Sequence, residues 1–286
     1  MSFRIPLAVP NLGWREADCV AKAVASNWVG PGGPGAERFE ALVAKASGRR
    51  WAIATITGTA ALHAAFALVF GRCLDDEDPM LVPENVFPAA PNALENLGYY
   101  LHALGSGQNH DWAGYGPVGD CAPAIGEPPS DSKLECYSFA ANKIITCGQG
   151  GAICGDDLHD EKELRALIWQ GYGRSGLFNY RMANLNAALG CAQLERLDEL
   201  KAAKKRIWNA YKDAGLPMIE RGASRWMATV DLPHGVVKAF AAKGIETRAE
   251  LSGGVSLPCS TGLAEAEQAE VISLALSLGL EAPAGG

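Results

Sequence analysis

The passage from Trp51 to Phe70 most constrains what this chain can fold into. WAIATI, residues 51–56, is a short apolar run of strand length. TGTAALHAAFALVF, residues 57–70, follows through a glycine-containing turn and reads as an apolar helix. A strand feeding directly into a helix is the repeating unit of an α/β sheet. The alternation continues downstream. MLVPE ends a strand and a helix begins near Pro88; VGDCAPA closes a further strand at Asp120; ECYSF and GAICGD read as two short strands; KELRALIWQG reads as a helix. Upstream, residues 14–26 place Val20 and Val24 at helical spacing, VGPGGPG at 29–35 is a turn region, and a helix over 36–47 ends at Gly48. Residues 184–215 read as one long helical stretch, bridging to a segment from Pro217 that closes in the helix AEAEQAEVISLALSLG. The expected fold is α/β. Residues 1–200 form a three-layer α/β/α large domain with a mostly parallel sheet, and residues 201–286 a small α+β C-terminal domain.

Composition narrows the function. Of 286 residues, 48% are hydrophobic and 20% charged, with a formal net charge of -7 and no basic stripe, which argues against nucleic acid as a partner. The start, MSFRIPLAVP, lacks the apolar core of a signal peptide, and no apolar run reaches the roughly 18 residues of a membrane span. Eight cysteines are present, none in a C-x-x-C pair, and no histidines stand at zinc-ligand spacing. They read as reduced thiols of a cytoplasmic protein, with no metal site.

Four segments carry residues suited to chemistry. In T-G-T-A-A (57–61) a strand turns into a helix whose first N–H groups and positive dipole end suit a phosphate. Gly58, Thr59 and Ala60 are the candidate holders, although the same pattern reads equally as an ordinary turn with Thr as N-cap. Asp120 ends an apolar strand, where ligands of open α/β sheets gather; a carboxylate there suits a pyridinium N–H, and it also suits a plain helix cap. Lys143 lies in C-Y-S-F-A-A-N-K-I-I-T-C-G-Q-G-G (136–151), between strands and among few charges. Such a setting favours imine chemistry, although most lysines are surface lysines. Ser138, five residues earlier, suits a phosphate. In F-N-Y-R-M (178–182), Asn179 and Arg181 suit an anionic group, or a capping and salt-bridging loop.

Taken in order, these segments resemble the DegT/DnrJ/EryC1/StrS family of sugar aminotransferases, which use pyridoxal 5'-phosphate (PLP) on a fold of the aspartate-aminotransferase type. The likeness covers residues 4–70 and 80–200, and N-Y-R-M-A-N-L-N-A-A-L-G-C-A-Q-L-E-R-L-D is its most recognisable stretch. The resemblance implies that Lys143 is the Schiff-base lysine and proton shuttle, and that Asp120 binds the pyridine nitrogen. It implies that Thr59, Ala60 and Ser138 hold the phosphate and that Phe87 stacks on the ring. It further implies that Asn179 reaches the cofactor of a second subunit, making a homodimer with shared active sites.

The chain departs from the family pattern in three ways. Pro123 stands where the family usually has Gln, Ala140 stands where it often has His, and the chain is compressed between Leu104 and Gly119 and between Glu250 and Val255. The implied activity is conversion of a nucleotide-linked keto sugar to an amino sugar, with glutamate or glutamine as donor. The compression keeps two other readings in view: a PLP enzyme acting on a smaller keto compound, and a reduced non-catalytic relative.

Overall fold

A computed structural model describes residues 3–70, 80–83, 88–97, 101–104, 113–115, 117–169, 178–220, 224–250 and 253–280. The chain divides into two compact units, Leu12–Leu197 and a second built from Met1–Asn11 with Asp198–Gly286. The first eleven residues, which the sequence reading places in the large domain, thus belong to the smaller unit.

The larger unit runs α1 (Trp14–Ala25), α2 (Pro34–Ser47), β1 (Trp51–Thr55), α3 (Gly58–Phe70), β2 (Met80–Pro83), α4 (Ala89–Asn96), β3 (Leu101–Leu104), β4 (Ala113–Tyr115), β5 (Val118–Asp120), β6 (Leu134–Ser138), β7 (Gly151–Gly155), α5 (Leu158–Ile168) and α6 (Asn184–Leu194). Five strands form one sheet in the order β1-β7-β6-β5-β4, and β2 and β3 pair separately in parallel. Alternate strand residues feed opposite faces. Trp51, Ile53, Leu134, Cys136 and Ile153 enter an apolar cluster with Ala61, Leu62, Ala65 and Phe66 of α3, Leu94 of α4, and Leu164 and Ile168 of α5. Cys154, next to Ile153 and on the opposite face, meets Ser47 of α2. Helices therefore cover both faces, giving the three-layer α/β/α arrangement.

The sheet is mixed, where a mostly parallel one was expected. β5 and β6 are parallel, but β7 is antiparallel to both β1 and β6, and β4 is antiparallel to β5. Connections explain the difference. A parallel neighbour needs a crossover of a dozen or more residues, usually a helix. β6 returns to β7 through a helix-free loop, and β4 meets β5 in a hairpin with Tyr115 opposite Val118.

The expected single helix over 184–215 is two helices, α6 and α7 (Leu197–Asp213). The chain turns at Glu195–Arg196, where the Arg196 N–H returns to the Gln193 carbonyl at 3.0 Å. Glu195 pairs with Arg38 and Arg196 with Glu16, so both side chains leave the helical path for partners elsewhere in the unit.

The smaller unit holds α7, β8 (Ala228–Val230), α8 (Val236–Ala242), β9 (Arg248–Ala249), β10 (Val255–Leu257) and α9 (Glu265–Leu280), with an antiparallel sheet ordered β8-β10-β9. The N-terminal segment is stitched in by Ile5, whose N–H donates to the Gly244 carbonyl and whose side chain is fully buried beside Trp208, Tyr211, Phe240 and Val271. No described helix is long and apolar enough to cross a membrane.

Candidate active site

Three strand ends and one helix start meet around the sequence-predicted residues. Asp120 is the last residue of β5 and Ser138 the last of β6; these strands are parallel, so both side chains stand at the same edge of the sheet. Gly58 opens α3 directly against Ser138. A Cβ on Gly58 would stand 2.8 Å from the Ser138 Cβ and 3.2 Å from its Oγ, so only glycine admits this approach. Gly151, the first residue of β7, crosses the same turn so closely that a Cβ there would collide with the Thr57 carbonyl and the Gly58 nitrogen.

Thr57 is the residue that caps α3. Its Oγ1 accepts the Ala60 N–H at 3.0 Å, and its carbonyl accepts the Ala61 N–H at 3.1 Å. The Ala60 N–H is thus engaged by Thr57, as in the capped turn that the sequence kept open, and its part in holding a phosphate rests on the family resemblance. Among the described residues the Gly58 and Thr59 N–H groups and the Ser138 hydroxyl have no intrachain partner. Three donors thus converge at the positive end of a helix, an anion-binding arrangement.

Asp120 lies within electrostatic reach of Lys143. Burial pushes the Asp120 carboxyl up from its ordinary value, while the Ala122 N–H at 3.1 Å and the Lys143 ammonium pull it back down. A desolvated carboxylate of this kind gains from a cationic or N–H partner. The donor set therefore fits PLP: anion donors at Gly58, Thr59 and Ser138, an acceptor at Asp120 and an amine at Lys143.

The loop that carries Lys143 is closed at its neck by Phe139. The Phe139 N–H donates to the Gly150 carbonyl, and its own carbonyl accepts the Cys147 N–H, both at 2.9 Å. The Lys143 N–H turns back to the Ala140 carbonyl at 3.0 Å, and Ile144 and Ile145 are buried behind it. Beyond the loop, Asn186 donates from Nδ2 to the Cys147 carbonyl at 2.7 Å. Gln193 accepts the Thr146 N–H at 3.3 Å and donates to Glu16 at 2.7 Å.

Asn179 and Arg181 lie on the segment that runs along β1 on the side away from β7. Asn179 is exposed; its recorded neighbours are Trp169, which it bridges, and Arg181, 3.4 Å from its Oδ1. Thr55 bridges Arg181, and the Ile56 N–H donates to the Tyr180 carbonyl at 2.7 Å. Tyr180 in turn holds His63 Nδ1 at 2.9 Å; burial lowers the affinity of that imidazole for a proton. Phe87 lies outside the described residues.

Sequence reasoning missed Asn184. Its Oδ1 accepts the Gly35 and Ala36 N–H groups, at 2.9 and 3.3 Å, at the start of α2, and its Nδ2 donates to the Trp28 carbonyl at 2.7 Å. It is an N-cap supplied from a distant part of the chain. It also missed Asn186 and Gln193, polar residues in a helix otherwise built of small apolar ones, which was the available signal.

Comparison with known proteins follows the same lines. The model of the DegT/DnrJ/EryC1/StrS aminotransferase family matches residues 10–104 and 118–224. GDP-perosamine synthase of Caulobacter vibrioides is 29% identical, with 94% of this chain and 97% of that protein covered. Its alignment runs over 365 positions against 286 residues here, so that relative carries insertions this chain lacks. Among solved structures, a candidate sugar aminotransferase of Streptococcus pneumoniae in its PLP form matches with a TM-score of 0.84 at 16% identity, over 97% of this chain and 99% of that one. DesI, determined in the presence of its TDP-sugar product, matches with a TM-score of 0.81 at 22% identity, over 97% and 94%. The structural likenesses speak for the fold, and the family model spans most of the chain: this protein belongs to the DegT/DnrJ/EryC1/StrS aminotransferase family.

Proposed function

We propose that the chain is a PLP-dependent aminotransferase that converts a nucleotide-linked keto sugar to an amino sugar, with glutamate or glutamine as amino donor. The observation that carries the reading is the convergence of Gly58, Ser138, Asp120 and Lys143 at one edge of the sheet. Family membership and the sugar-nucleotide names of the relatives support it. PLP supplies an electron sink for carbanion chemistry. The residues supply the rest. Gly58, Thr59 and Ser138 would hold the phosphate, Asp120 would accept from the ring nitrogen and favour its protonated form, and Lys143 would supply the amine that anchors the cofactor. The Lys143 Nζ would also be the group that holds and passes on a proton beside the reacting carbon.

We further propose a homodimer in which Asn179 serves the second subunit's site. Asn179 stands exposed beside Trp169, and Trp169, Ile56, Trp28 and Val29 are large apolar side chains each at least 44% exposed. Arg181 sits 5.7 Å over the Trp169 ring. An exposed aromatic patch beside a polar residue without a site of its own suits a covered surface. Cytoplasmic location is part of the same proposal; the described cysteines are all free thiols.

A smaller keto substrate is the second reading. Val255 pairs with Ala249, so residues 250–254 alone join β9 to β10, with the Glu250 N–H on the Gly254 carbonyl at 3.0 Å. Absorbance of the purified protein mixed with PLP tests the main reading. Wild type is expected to gain the visible band of lysine-bound cofactor and to aminate a nucleotide-linked keto sugar; Lys143→Ala loses both. A wild type without the band defeats the reading. A wild type with the band that aminates only small keto compounds selects the second.

A further inference from the structure

Asn186, Gly190 and Gln193 are four and then three residues apart, so they share one face of α6. That face meets the stretch Thr146–Cys147, three residues beyond Lys143. Gly190 permits the approach: a Cβ there would collide with the Cys147 Sγ and stand 2.5 Å from Phe39. Asn186 and Gln193 then take the two free backbone groups, the Cys147 carbonyl and the Thr146 N–H. Thr146 extends the lock. Its Oγ1 donates to the Phe139 carbonyl at 3.3 Å and accepts the Gly148 N–H at 2.8 Å, which ties the clamp to the loop's neck.

The Gln193 amide has one orientation. Its nitrogen donates to Glu16 Oε1, and Glu16 is 2% exposed and is fixed by Arg196 at 2.8 Å and the Gly13 N–H at 2.8 Å. The amide oxygen is thereby turned towards Thr146. We propose that Asn186 and Gln193 are positioning residues, which set the height of the Lys143 loop against Asp120 through Cys147 and Thr146. This rests on the reading of Lys143 as the cofactor lysine. A shift of about 1 Å in a reacting group can cost ~10²-fold in rate.

The test uses Asn186→Leu and Gln193→Met, which keep volume and lose the hydrogen bonds, with Asn186→Gln as the conservative control. In cofactor-free protein, amide exchange of the peptide spanning 139–150 is expected to speed up in both variants and to return towards wild type in Asn186→Gln. In PLP-loaded protein, three changes are expected: the pH midpoint of the visible band moves, kcat falls about tenfold or more, and KM for the keto substrate stays within about twofold. Folded variants that keep the wild-type pH midpoint and kcat overturn the proposal, even if their melting temperature drops, because that pattern is support without positioning. Should Gln193→Met fail to fold, the half-buried Asn186 still decides the outcome. A wild type that binds no PLP defeats the reading of Lys143 instead, and the exchange measurement then judges the clamp by itself: unchanged exchange overturns it.

Discussion

At its start β6 carries Glu135, fully buried, held by the guanidinium of Arg49 at 2.9 Å and the Tyr137 hydroxyl at 2.8 Å. Past its end, the loop carrying Lys143 is held by Asn186 and Gln193, which are neutral. One strand is thus fixed by an ion pair where there is no chemistry and by amides where there is. The difference has a physical reason. In a low-dielectric interior a nearby charge shifts every titrating neighbour, while an amide shifts them little. Lys143 is left within electrostatic reach of Asp120, its charged partner in the site. Glu16, behind Gln193, is itself neutralised by Arg196.

Breaking the charged end is the largest expected effect. In Arg49→Met, Glu135 keeps its burial and loses its counter-ion, and the carbonyls of Ser130 and Ser132 lose a donor. Stranding a buried charge costs about 3–5 kcal/mol, read as a shift of the denaturant midpoint. The pH midpoint of the cofactor band should not move. If it does move, the two ends of β6 are electrically coupled and the contrast between them fails.

Gly151→Ala tests the junction between β7 and the turn that opens α3. Overpacking at such a contact costs about 1–3 kcal/mol. The Thr57–Gly58 turn must retreat from the new methyl group, so PLP dissociation should rise along with the loss of stability. Stability loss at unchanged PLP affinity would remove that turn from the cofactor site. Asn184→Ala acts on neither end of β6. It uncaps α2, and cap losses run at about 0.5–2 kcal/mol. Thermal melting should show the loss and the cofactor band should be unaltered; a changed band would tie α2 to the site.

Strand and helix existence was legible because apolar runs and turn glycines are local signals: WAIAT, LECYS and GAICG are all strands here. Strand direction was not legible, since it depends on whether the intervening loop holds a helix. The loop from Phe139 to Gly150 is closed by backbone bonds that composition does not reveal. The break at Glu195–Arg196 was hidden because both residues favour helices, and only their partners Arg38 and Glu16 divert them. Among site residues, Asp120, Ser138 and Lys143 gained weight from order along the chain, and the fold gathers them. For the turn at 57–61 residue types alone left a phosphate holder and a capped turn open together, and Thr57 takes the Ala60 N–H here. Asn184 caps α2 from 148 residues away in sequence, which no local pattern can announce.

The smallest expected effect is a change of slope rather than of level. Burial raises the Glu135 carboxyl, but Arg49, the Ser130 N–H and Tyr137 outweigh it and hold the group below the ordinary carboxylate value. Its folded form therefore binds a proton less readily than its unfolded form. The resulting stability is complete above the unfolded value, about 4.3, and drains away as pH falls through the lower folded value. Glu135→Gln cannot titrate, so its stability between pH of about 5 and the acid limit should fall less steeply than that of wild type, whatever its starting level. Urea midpoints taken across that range measure the two slopes. Equal slopes would mean that Glu135 titrates alike in the folded and unfolded protein, so that Arg49, Ser130 and Tyr137 give its charged form no net advantage and the charged end of the contrast fails.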